Sequence, residues 1–215
     1  MDGNRRWARA AGLDVSAGHE AGARHLGALL GWLETRGIRH ASVYVLSADN
    51  IRRRSATEVG ALFGLIETVL LERIRRAQEW RLHVAGDVEL LPSRCRERLT
   101  AAVEETVSRR RHLTLAIGYD PQEEIARALQ RILRRGTVPS DLGAAITRAL
   151  PGGPVKDIDL VIRTSGERRI SGFFPWQSER AEIHFCDKLW PAFSEQDLDV
   201  ALAEFRRREA AAAAP

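Results

Sequence analysis

The chain has 215 residues, 44% of them hydrophobic and 29% charged, which is typical of a globular domain long enough to bury a substantial core. No apolar run reaches the length of a membrane span, no signal-peptide pattern precedes the first motif, and two cysteines are too few for a disulfide framework. These features predict one domain over residues 1–215 in a reduced, cytoplasmic setting, with a disordered alanine-rich tail at residues 210–215.

The basic charge does not by itself indicate a nucleic-acid partner. The formal net charge is +4, and arginine runs occupy positions 52–54, 109–111 and 206–208. Such runs usually form solvated helix faces. A nucleic-acid-binding face would also need aromatic stacking groups, and the five tryptophans are dispersed along the chain. We therefore predict no nucleic-acid partner.

The first candidate ligand-binding segment is Met1–Trp7. Gly3 allows backbone N–H groups to approach a phosphate, and the guanidinium groups of Arg5 and Arg6 match phosphate geometry. The carboxylate of Asp2 would repel phosphate unless a divalent cation lay between them. The stretch therefore predicts a magnesium-bridged diphosphate site, and the alternative is a solvated, charged chain end.

The next elements alternate between helix and strand. After Gly18–Gly22, an apolar stripe predicts a helix from Ala23 to near Gly37, and His19 stands at its start, where a phosphate is favoured. Residues 41–46 read as a buried strand that ends in the polar segment 47–53. Ser55 and Glu58 form a capping box, and helical periodicity continues almost to Trp80.

The second half repeats this alternation. Strands are predicted at residues 82–85, 113–119, 158–162 and 183–185, and helices at 92–110, 121–135 and 140–150, with a closing helix capped by Ser194 and Asp197. This pattern predicts an α/β fold with a mostly parallel central sheet flanked by helices.

Polar segments follow three of the predicted strands, at residues 47–53, 118–120 and 163–171. Parallel sheets bind ligands at the carboxyl ends of their strands, so these segments are expected to meet. The opening motif would join them if a strand preceded it. No strand precedes it in these 215 residues, so we expect either that the start of the chain is truncated or that an edge of the sheet is missing.

Residues 163–171 supply a second candidate anion site. Arg163 lies at a strand end, and Arg169 and Ser171 follow a glycine turn, so all three can converge on one diphosphate. The alternative is a structural ion-pair network with Glu167. Further along, Glu182 could reach a metal shared with Asp2. The sequence contains no P-loop, no dinucleotide fingerprint and no nucleophile elbow.

Several motifs together resemble one family across nearly the whole chain. They are MDGNRRWA at 1–8, GHEAG at 18–22, SADN at 47–50 with Arg53, DLVIRTSGERRIS at 159–171, FPWQ at 174–177 and WPAF at 190–193. In this order they resemble the cis-prenyltransferases, the family of undecaprenyl diphosphate synthase. The chain departs from the family's pattern at Val15, Ile51, Asp120-Pro121 and Glu179-Arg180.

The resemblance implies a role for each matching residue. Asp2 would position Mg²⁺, while the allylic diphosphate would be held by Gly3, Asn4, Arg5, Arg6 and His19, with Trp7 beside it. The segment Ser47, Ala48, Asp49, Asn50, Ile51 and Arg53 would close over both substrates. Isopentenyl diphosphate would be held by Arg163, Arg169, Ile170 and Ser171. Glu182 would be a metal ligand near the interface of a homodimer, with peripheral membrane contact for product release.

The implied reaction is the head-to-tail condensation of isopentenyl diphosphate with an allylic diphosphate. Asn50 is cast as the proton acceptor in this family, although a neutral amide is a very weak base that more plausibly orients a diphosphate oxygen. Val45 stands where long-chain members have alanine, so we expect it to narrow a product tunnel between the helix Glu58–Arg76 and the strand Ala41–Leu46 and to limit product length. The rival interpretations are a head-to-middle coupling enzyme and a non-catalytic partner subunit.

Overall fold

The computed structural model describes residues 1–136 and 139–212. In this part of the chain five strands pair in parallel: β1 (His40–Ser47), β2 (Trp80–Ala85), β3 (Arg111–Tyr119), β4 (Leu160–Arg163) and β5 (Glu182–Phe185). The predicted parallel α/β architecture is confirmed. The strands nevertheless form two sheets, one with the order β1-β3-β2 and one with β4-β5, rather than one continuous sheet.

Nine α-helices accompany these strands in the described residues. They are α1 (Asn4–Ala10), α2 (Val15–Thr35), α3 (Ala48–Arg53), α4 (Ala56–Leu65), α5 (Leu71–Arg76), α6 (Ser93–Glu105), α7 (Pro121–Leu133), α8 (Leu142–Ala149) and α9 (Glu195–Ala212), and a π-helical turn at Ile66–Leu70 joins α4 to α5. The prediction of a disordered tail is wrong for residues 210–212, which continue α9, while residues 213–215 lie outside the described part.

The predicted cap of α9 is confirmed and that of α4 in part, since the Glu58 carboxylate pairs with Arg54 and does not complete the capping box, and two helices end earlier than their periodicity indicated. The Ser55 hydroxyl accepts a hydrogen bond from the Glu58 N–H at 3.2 Å, and Ser194 and Asp197 cap each other at the start of α9. After α5, the Arg109 guanidinium donates to the carbonyls of Ile74 and Ala77, at 2.9 and 3.2 Å.

Two members of the arginine run 109–111 therefore lie against helix ends, and the prediction of a solvated helix face is wrong there. Arg109 covers the end of α5, and Arg111 donates to the carbonyls of Glu34 and Ile38 at the end of α2. Cations at helix C-termini satisfy carbonyls that have no partner within the helix.

The core is centred on β3, whose residues 113–119 are all buried. A central parallel strand covered on both faces loses the alternation of apolar and polar residues. Helices α2, α4 and α5 contribute Leu26, Leu30, Phe63 and Ile74 to the same cluster. None of the helices in residues 1–136 and 139–212 is both long and apolar enough to cross a membrane.

A bulge interrupts β1 just before its carboxyl end. Tyr44 pairs with Ala116 and Leu46 with Ile117, so Val45 has no partner on β3. An extra residue of this kind bends a strand and redirects its side chains, and such bulges are common beside functional sites. Val45, like the other residues of β1, lines the cavity described below.

Candidate active site

The opening motif is anchored between the two sheets, so it is not a solvated chain end. Asp2 Oδ2 accepts hydrogen bonds from Arg163 at 2.8 Å and from the Ser165 hydroxyl at 3.0 Å. The Asp2 carbonyl accepts from the Trp190 N–H at 2.9 Å, and the Met1 ammonium donates to the Tyr44 carbonyl at 3.3 Å. Residues that are 161 positions apart in the chain thus form the centre of the site.

These contacts keep the Asp2 carboxylate ionised. Partial burial acts to raise the pKa of Asp2, but the hydrogen bond from Ser165 and the positive charge of Arg163 outweigh it and lower the pKa. The Arg163 side chain is 16% exposed, and its Nε is buried without a hydrogen-bond partner among the described residues. One side of this guanidinium therefore holds Asp2, while Nε retains an unused donor.

Ser165 was not assigned a role from the sequence, although it lies within the motif that carries the resemblance. Its φ of +84° is rare for a residue with a side chain, and Ser171 has a φ of +47°. Backbone strain of this kind costs about 1–3 kcal/mol and concentrates at functional sites. A serine in a strand-to-turn segment between two candidate ligands was the signal that could have identified it.

Helix α1 approaches α2 closely through glycines. A Cβ at Gly18 would lie 2.3 Å from the Asn4 carbonyl oxygen, and a Cβ at Gly22 would lie 2.4 Å from Asn4 Oδ1. Gly3 has a φ of +101° at the start of α1, and no side chain caps this end. The glycines of GHEAG therefore set the position of α1, which sequence reasoning did not foresee.

His19 does not lie at a helix start, and that prediction is wrong. Asp14 caps α2 through the Ala17 N–H at 2.8 Å, which places His19 in the second turn. The pKa of His19 is lowered by burial and by the Arg54 charge, so its imidazole is neutral at pH 7. His19 Nε2 and Asn4 Oδ1 are both buried without hydrogen-bond partners in residues 1–136 and 139–212. Buried polar atoms of this kind usually have a partner, so these two mark a place for a polar ligand.

Arginines near this part of the cavity are paired with glutamates, Arg5 and Arg6 at long distance and Arg54 by a direct hydrogen bond. Glu58 lies 3.8 Å from Arg5 and 2.9 Å from Arg54, and Glu167 lies 3.9 Å from Arg6. Glu167 also pairs with Arg169, so the ion pair that the sequence left as an alternative is present. Exposed ion pairs contribute roughly 0–1 kcal/mol, whereas a diphosphate offers bidentate, doubly charged acceptors. A diphosphate can therefore replace the glutamates.

The predicted closing segment is the short helix α3, not a loop. The Ser47 hydroxyl accepts from the Asn50 N–H at 3.0 Å and caps this helix. Arg53 is exposed and pairs with Asp49 at 2.7 Å, while Ala48 is buried. Arg52 ties the segment to α7 through Glu123 at 2.8 Å. Of the predicted closing residues, Ser47, Asp49 and Asn50 line the cavity, and Ala48, Ile51 and Arg53 do not.

A cavity of about 960 Å³ joins these residues. Its polar part contains Asp2, Asn4, His19, Asn50, Arg54, Arg163, Arg169, Ile170 and Ser171. Arg5, Arg6 and Trp7 lie outside its lining, and Arg54 is a member that the sequence did not indicate. The structure thus brings the two predicted anion sites to one cavity.

The apolar part of the cavity does not follow the predicted tunnel. Val45 lines it as expected, but the helical segment 58–76 contributes only Leu62. Its other walls are Leu29 and Leu33 of α2, residues 160–162 of β4, and Leu198, Leu202 and Phe205 of α9. The cavity therefore runs along the edge of β1 and not between its face and the helix.

Glu182 does not meet Asp2 within one chain. It pairs with Leu160 at the start of β5, whereas Asp2 contacts Arg163 three residues further along β4, about 10 Å away at the rise of a strand. Glu182 instead pairs with Arg208 at 2.6 Å. An interface between two copies is one way in which Glu182 could reach a metal at Asp2.

The donor set at Asp2 fits a magnesium ion that is bound together with a diphosphate. In the described part of the chain, no group of three His, Cys, Asp or Glu residues could hold a metal by itself. Mg²⁺ commonly uses only one or two carboxylates and completes its shell with water and substrate phosphate oxygens. The Asp2 side chain is 45% exposed and ionised, as such a ligand must be.

Comparison with known proteins agrees with the motifs. The Prenyltransf family model, undecaprenyl diphosphate synthase, matches residues 1–212. The chain is 40% identical over 226 aligned positions to an isoprenyl transferase of Streptomyces fradiae (97% of this chain, 86% of that protein). It is 38% identical over 219 positions to a (2Z,6E)-farnesyl diphosphate synthase of Mycolicibacterium smegmatis (96% and 83%).

Among solved structures, lavandulyl diphosphate synthase from Lavandula x intermedia, in complex with dimethylallyl diphosphate, superposes with a TM-score of 0.89 at 30% identity, covering 96% of this chain and 92% of that one. The match of sequence, fold and motif order extends over nearly the whole chain. This chain therefore belongs to the undecaprenyl diphosphate synthase family of cis-prenyltransferase enzymes.

Proposed function

We propose that this protein condenses isopentenyl diphosphate head-to-tail with an allylic diphosphate, in the presence of Mg²⁺, to give a short Z-prenyl diphosphate. The observation that carries the proposal is the set of unused buried polar atoms around Asp2, namely Asn4 Oδ1, His19 Nε2 and Arg163 Nε. The three residues line one cavity, which Arg54 and Arg169 also line. The relatives named isoprenyl transferase and (2Z,6E)-farnesyl diphosphate synthase support the same reaction class.

The allylic diphosphate would occupy the polar part of the cavity beside Asn4 of α1 and His19 of α2. Arg5, Arg6 and Arg54 would exchange their glutamate partners for its oxygens, and their fixed charge would stabilise the diphosphate that leaves as the allylic C–O bond ionises. Mg²⁺, held through Asp2, would supply further positive charge at the same oxygens. The pairing of Asp2 with Arg163 keeps the carboxylate ionised for this role.

Isopentenyl diphosphate would be held by Arg163, Arg169 and Ser171. From there its double bond attacks the allylic cation, a C–C bond forms, and loss of a proton gives the new double bond. Asn50 lines the same cavity as Arg163, Arg169 and Ser171. Because an amide is too weak a base to take this proton, Asn50 orients a diphosphate oxygen that takes it.

Product length would be limited at Val45. This residue bulges out of β1 and reaches the cavity wall, where its branched side chain leaves less room for a growing chain than alanine would. We propose products on the order of ten to twenty carbons, a size that fits the usual range of small-molecule cavities. We also propose a cytoplasmic homodimer, since a second copy could bring Glu182 near a metal at Asp2.

The test is incubation of the purified chain with labelled isopentenyl diphosphate and a panel of allylic diphosphates, with and without Mg²⁺, followed by product identification. Mg²⁺-dependent short Z products would support the proposal. No turnover with any allylic diphosphate would indicate a non-catalytic partner subunit instead.

The similarity to lavandulyl diphosphate synthase makes head-to-middle coupling the second candidate. That protein is described in complex with dimethylallyl diphosphate, which defines the distinguishing experiment. Incubation with dimethylallyl diphosphate alone gives a branched ten-carbon diphosphate only if two such units couple head-to-middle. Both reactions join two diphosphates, so the second anion site around Arg163, Arg169 and Ser171 serves either one, and the product formed is what distinguishes them.

A further inference from the structure

A second cavity lies near the amino ends of β2 and β3, away from the candidate active site. Its volume is about 680 Å³, and Arg81, His83 and His112 are among its lining residues. Strand β1 runs from His40, the partner of His112, to Ser47 at the active site, a length of about 23 Å at the rise of a strand. His112 also lines the larger cavity, so the two spaces adjoin. We call the space lined by Arg81, His83 and His112 the β2–β3 pocket.

Two histidines form one wall of the pocket, and a third packs against them. His83 Nε2 and His112 Nδ1 lie 2.9 Å apart and share a hydrogen bond. The His40 ring stacks on the His112 ring, with 5.1 Å between the ring centroids. One nitrogen of the His83–His112 bond must accept, so the pair can take up one proton and keep the bond, but not two.

Residues 152–156 lie directly against this wall because two of them are glycines. A Cβ at Gly153 would lie 3.0 Å from His112 Cβ, and a Cβ at Gly152, whose φ is +107°, would lie 3.1 Å from Thr114 Oγ1. The Gly153 N–H donates to the Thr114 hydroxyl at 3.3 Å. The Lys156 ammonium donates to the Gly152 carbonyl, also at 3.3 Å. The segment thereby places the Lys156 ammonium beside the pocket.

The pocket concentrates positive charge that the described part of the chain does not neutralise. Arg81 of β2, Arg148 of α8 and Lys156 all line it. None of these three forms an ion pair within residues 1–136 and 139–212. Of the lining side chains in the same residues, only that of Asp157 is acidic. Cations that share one cavity repel each other unless an anion lies between them.

Burial increases the free-energy cost of this charge. It lowers the pKa of Lys156 and of His112, and, together with the charges of His112 and Arg81, it lowers the pKa of His83 to about 4. In all three residues the disfavoured form is the positively charged one. A bound anion would reverse these shifts, because an opposite charge nearby favours the charged form of a base.

We propose that the β2–β3 pocket is an additional anion-binding site, separate from the two substrate sites, and that its ligand is a phosphate or diphosphate group, free or esterified. The guanidinium groups of Arg81 and Arg148 match pairs of phosphate oxygens, and the Lys156 ammonium adds a compact charge. Three cations against the single carboxylate of Asp157 leave a surplus that a doubly charged phosphate group neutralises better than a carboxylate does. The His83–His112 pair supplies a further N–H when it takes up its one proton.

The test is a titration of histidine ring resonances by NMR, without Mg²⁺, using inorganic diphosphate as one probe and dimethylallyl diphosphate as the other. The His83 and His112 rings report on the β2–β3 pocket. The His19 ring reports on the candidate active site in the same titration, because it lines the larger cavity. Binding at the two places is therefore measured separately.

Two variants, Arg81→Gln and Arg148→Gln, each remove one cation from the pocket. The matched control is Arg76→Gln, which makes the same change of charge. Arg76 is exposed, pairs with Glu72 at 2.9 Å and lines neither cavity. The thermal unfolding midpoint of each variant shows whether it is folded, and the exposed position of Arg148 makes its variant the less disruptive of the two.

We expect inorganic diphosphate to shift the His83 and His112 resonances and to raise the pKa of His112. Each pocket variant should weaken the affinity measured at these rings about tenfold or more and leave the response of His19 unchanged, whereas Arg76→Gln should alter neither. Equal binding of dimethylallyl diphosphate would support an esterified ligand, and weaker binding a free one.

Two results would overturn the proposal. One is the absence of any shift at His83 and His112 with either probe. The other is a shift at these rings that follows the His19 response and persists in Arg81→Gln and Arg148→Gln, because the change would then be transmitted from the active site.

Discussion

Replacement of Gly18 by alanine tests whether close packing of α1 on α2 positions the active site. A Cβ at this position would lie 2.3 Å from the Asn4 carbonyl oxygen and 2.8 Å from Ala8 Cβ. Neither atom can rotate away, since one belongs to the backbone and the other is itself a Cβ. Helix α1 must therefore move, and with it Asp2, Arg5 and Arg6.

The magnitude follows from comparison with Gly31, which lies in the same helix with nothing within 4 Å of its Cβ position. Both Gly→Ala changes gain about 1 kcal/mol of helix propensity. In Gly18→Ala alone, overpacking also lowers the free energy of unfolding, by about 1–3 kcal/mol. We therefore expect the free energy of unfolding to be about 1–3 kcal/mol lower in Gly18→Ala than in Gly31→Ala. A displacement of about 1 Å at catalytic groups costs about 100-fold in rate, so kcat/KM should fall by that factor.

The assay combines urea unfolding with initial rates of labelled isopentenyl diphosphate incorporation. Gly31→Ala should equal or exceed the parent in stability and retain its activity. Equal stabilities of the two variants would show that α1 does not pack on α2 as described. A loss of stability in Gly18→Ala with unchanged kcat/KM would refute the inference that this contact positions Asp2.

Asp2→Asn should lower turnover at least about 1000-fold, because the charge that would hold Mg²⁺ is lost, and it should also lower stability, because the Arg163 side chain is only 16% exposed and loses its anionic partner. Substantial residual turnover would contradict the metal role. Val45→Ala should give longer products, because the smaller side chain leaves more room in the cavity. Chromatography of the products measures their length, and an unchanged length would contradict chain-length control by Val45. The pKa of His83 is lowered to about 4 by burial and by the neighbouring His112, so the unfolded chain binds the proton first and stability should fall as the pH drops from 6.5 toward 4. His83→Gln should flatten this dependence in urea titrations at several pH values, and an unaltered slope would contradict the assignment.

The alternation of strands and helices and the membership of the family could both be predicted from the sequence by itself. Each strand and helix has its own periodicity, and caps such as Ser55 act on residues three positions away, so these signals are local. The ends of α5 and α6 were predicted too late in the chain. At the end of α5 the Arg109 guanidinium donates to the Ile74 carbonyl, and at the end of α6 Thr106 accepts from the Leu82 N–H, so both ends depend on residues that are distant in sequence. The order of the motifs was enough to identify Asp2 and Arg163 as members of one site.

Only the tertiary structure shows which of the site residues contact one another. It paired Asp2 with Arg163 and Ser165, left His19 Nε2 without a partner, and placed Glu182 at the opposite end of the β4–β5 pair. It also divided the parallel strands into two sheets, and residues of β1 and of β4 line one cavity. Contacts between residues more than a hundred positions apart depend on strand register and helix packing, and neither quantity is encoded in a local pattern of residues.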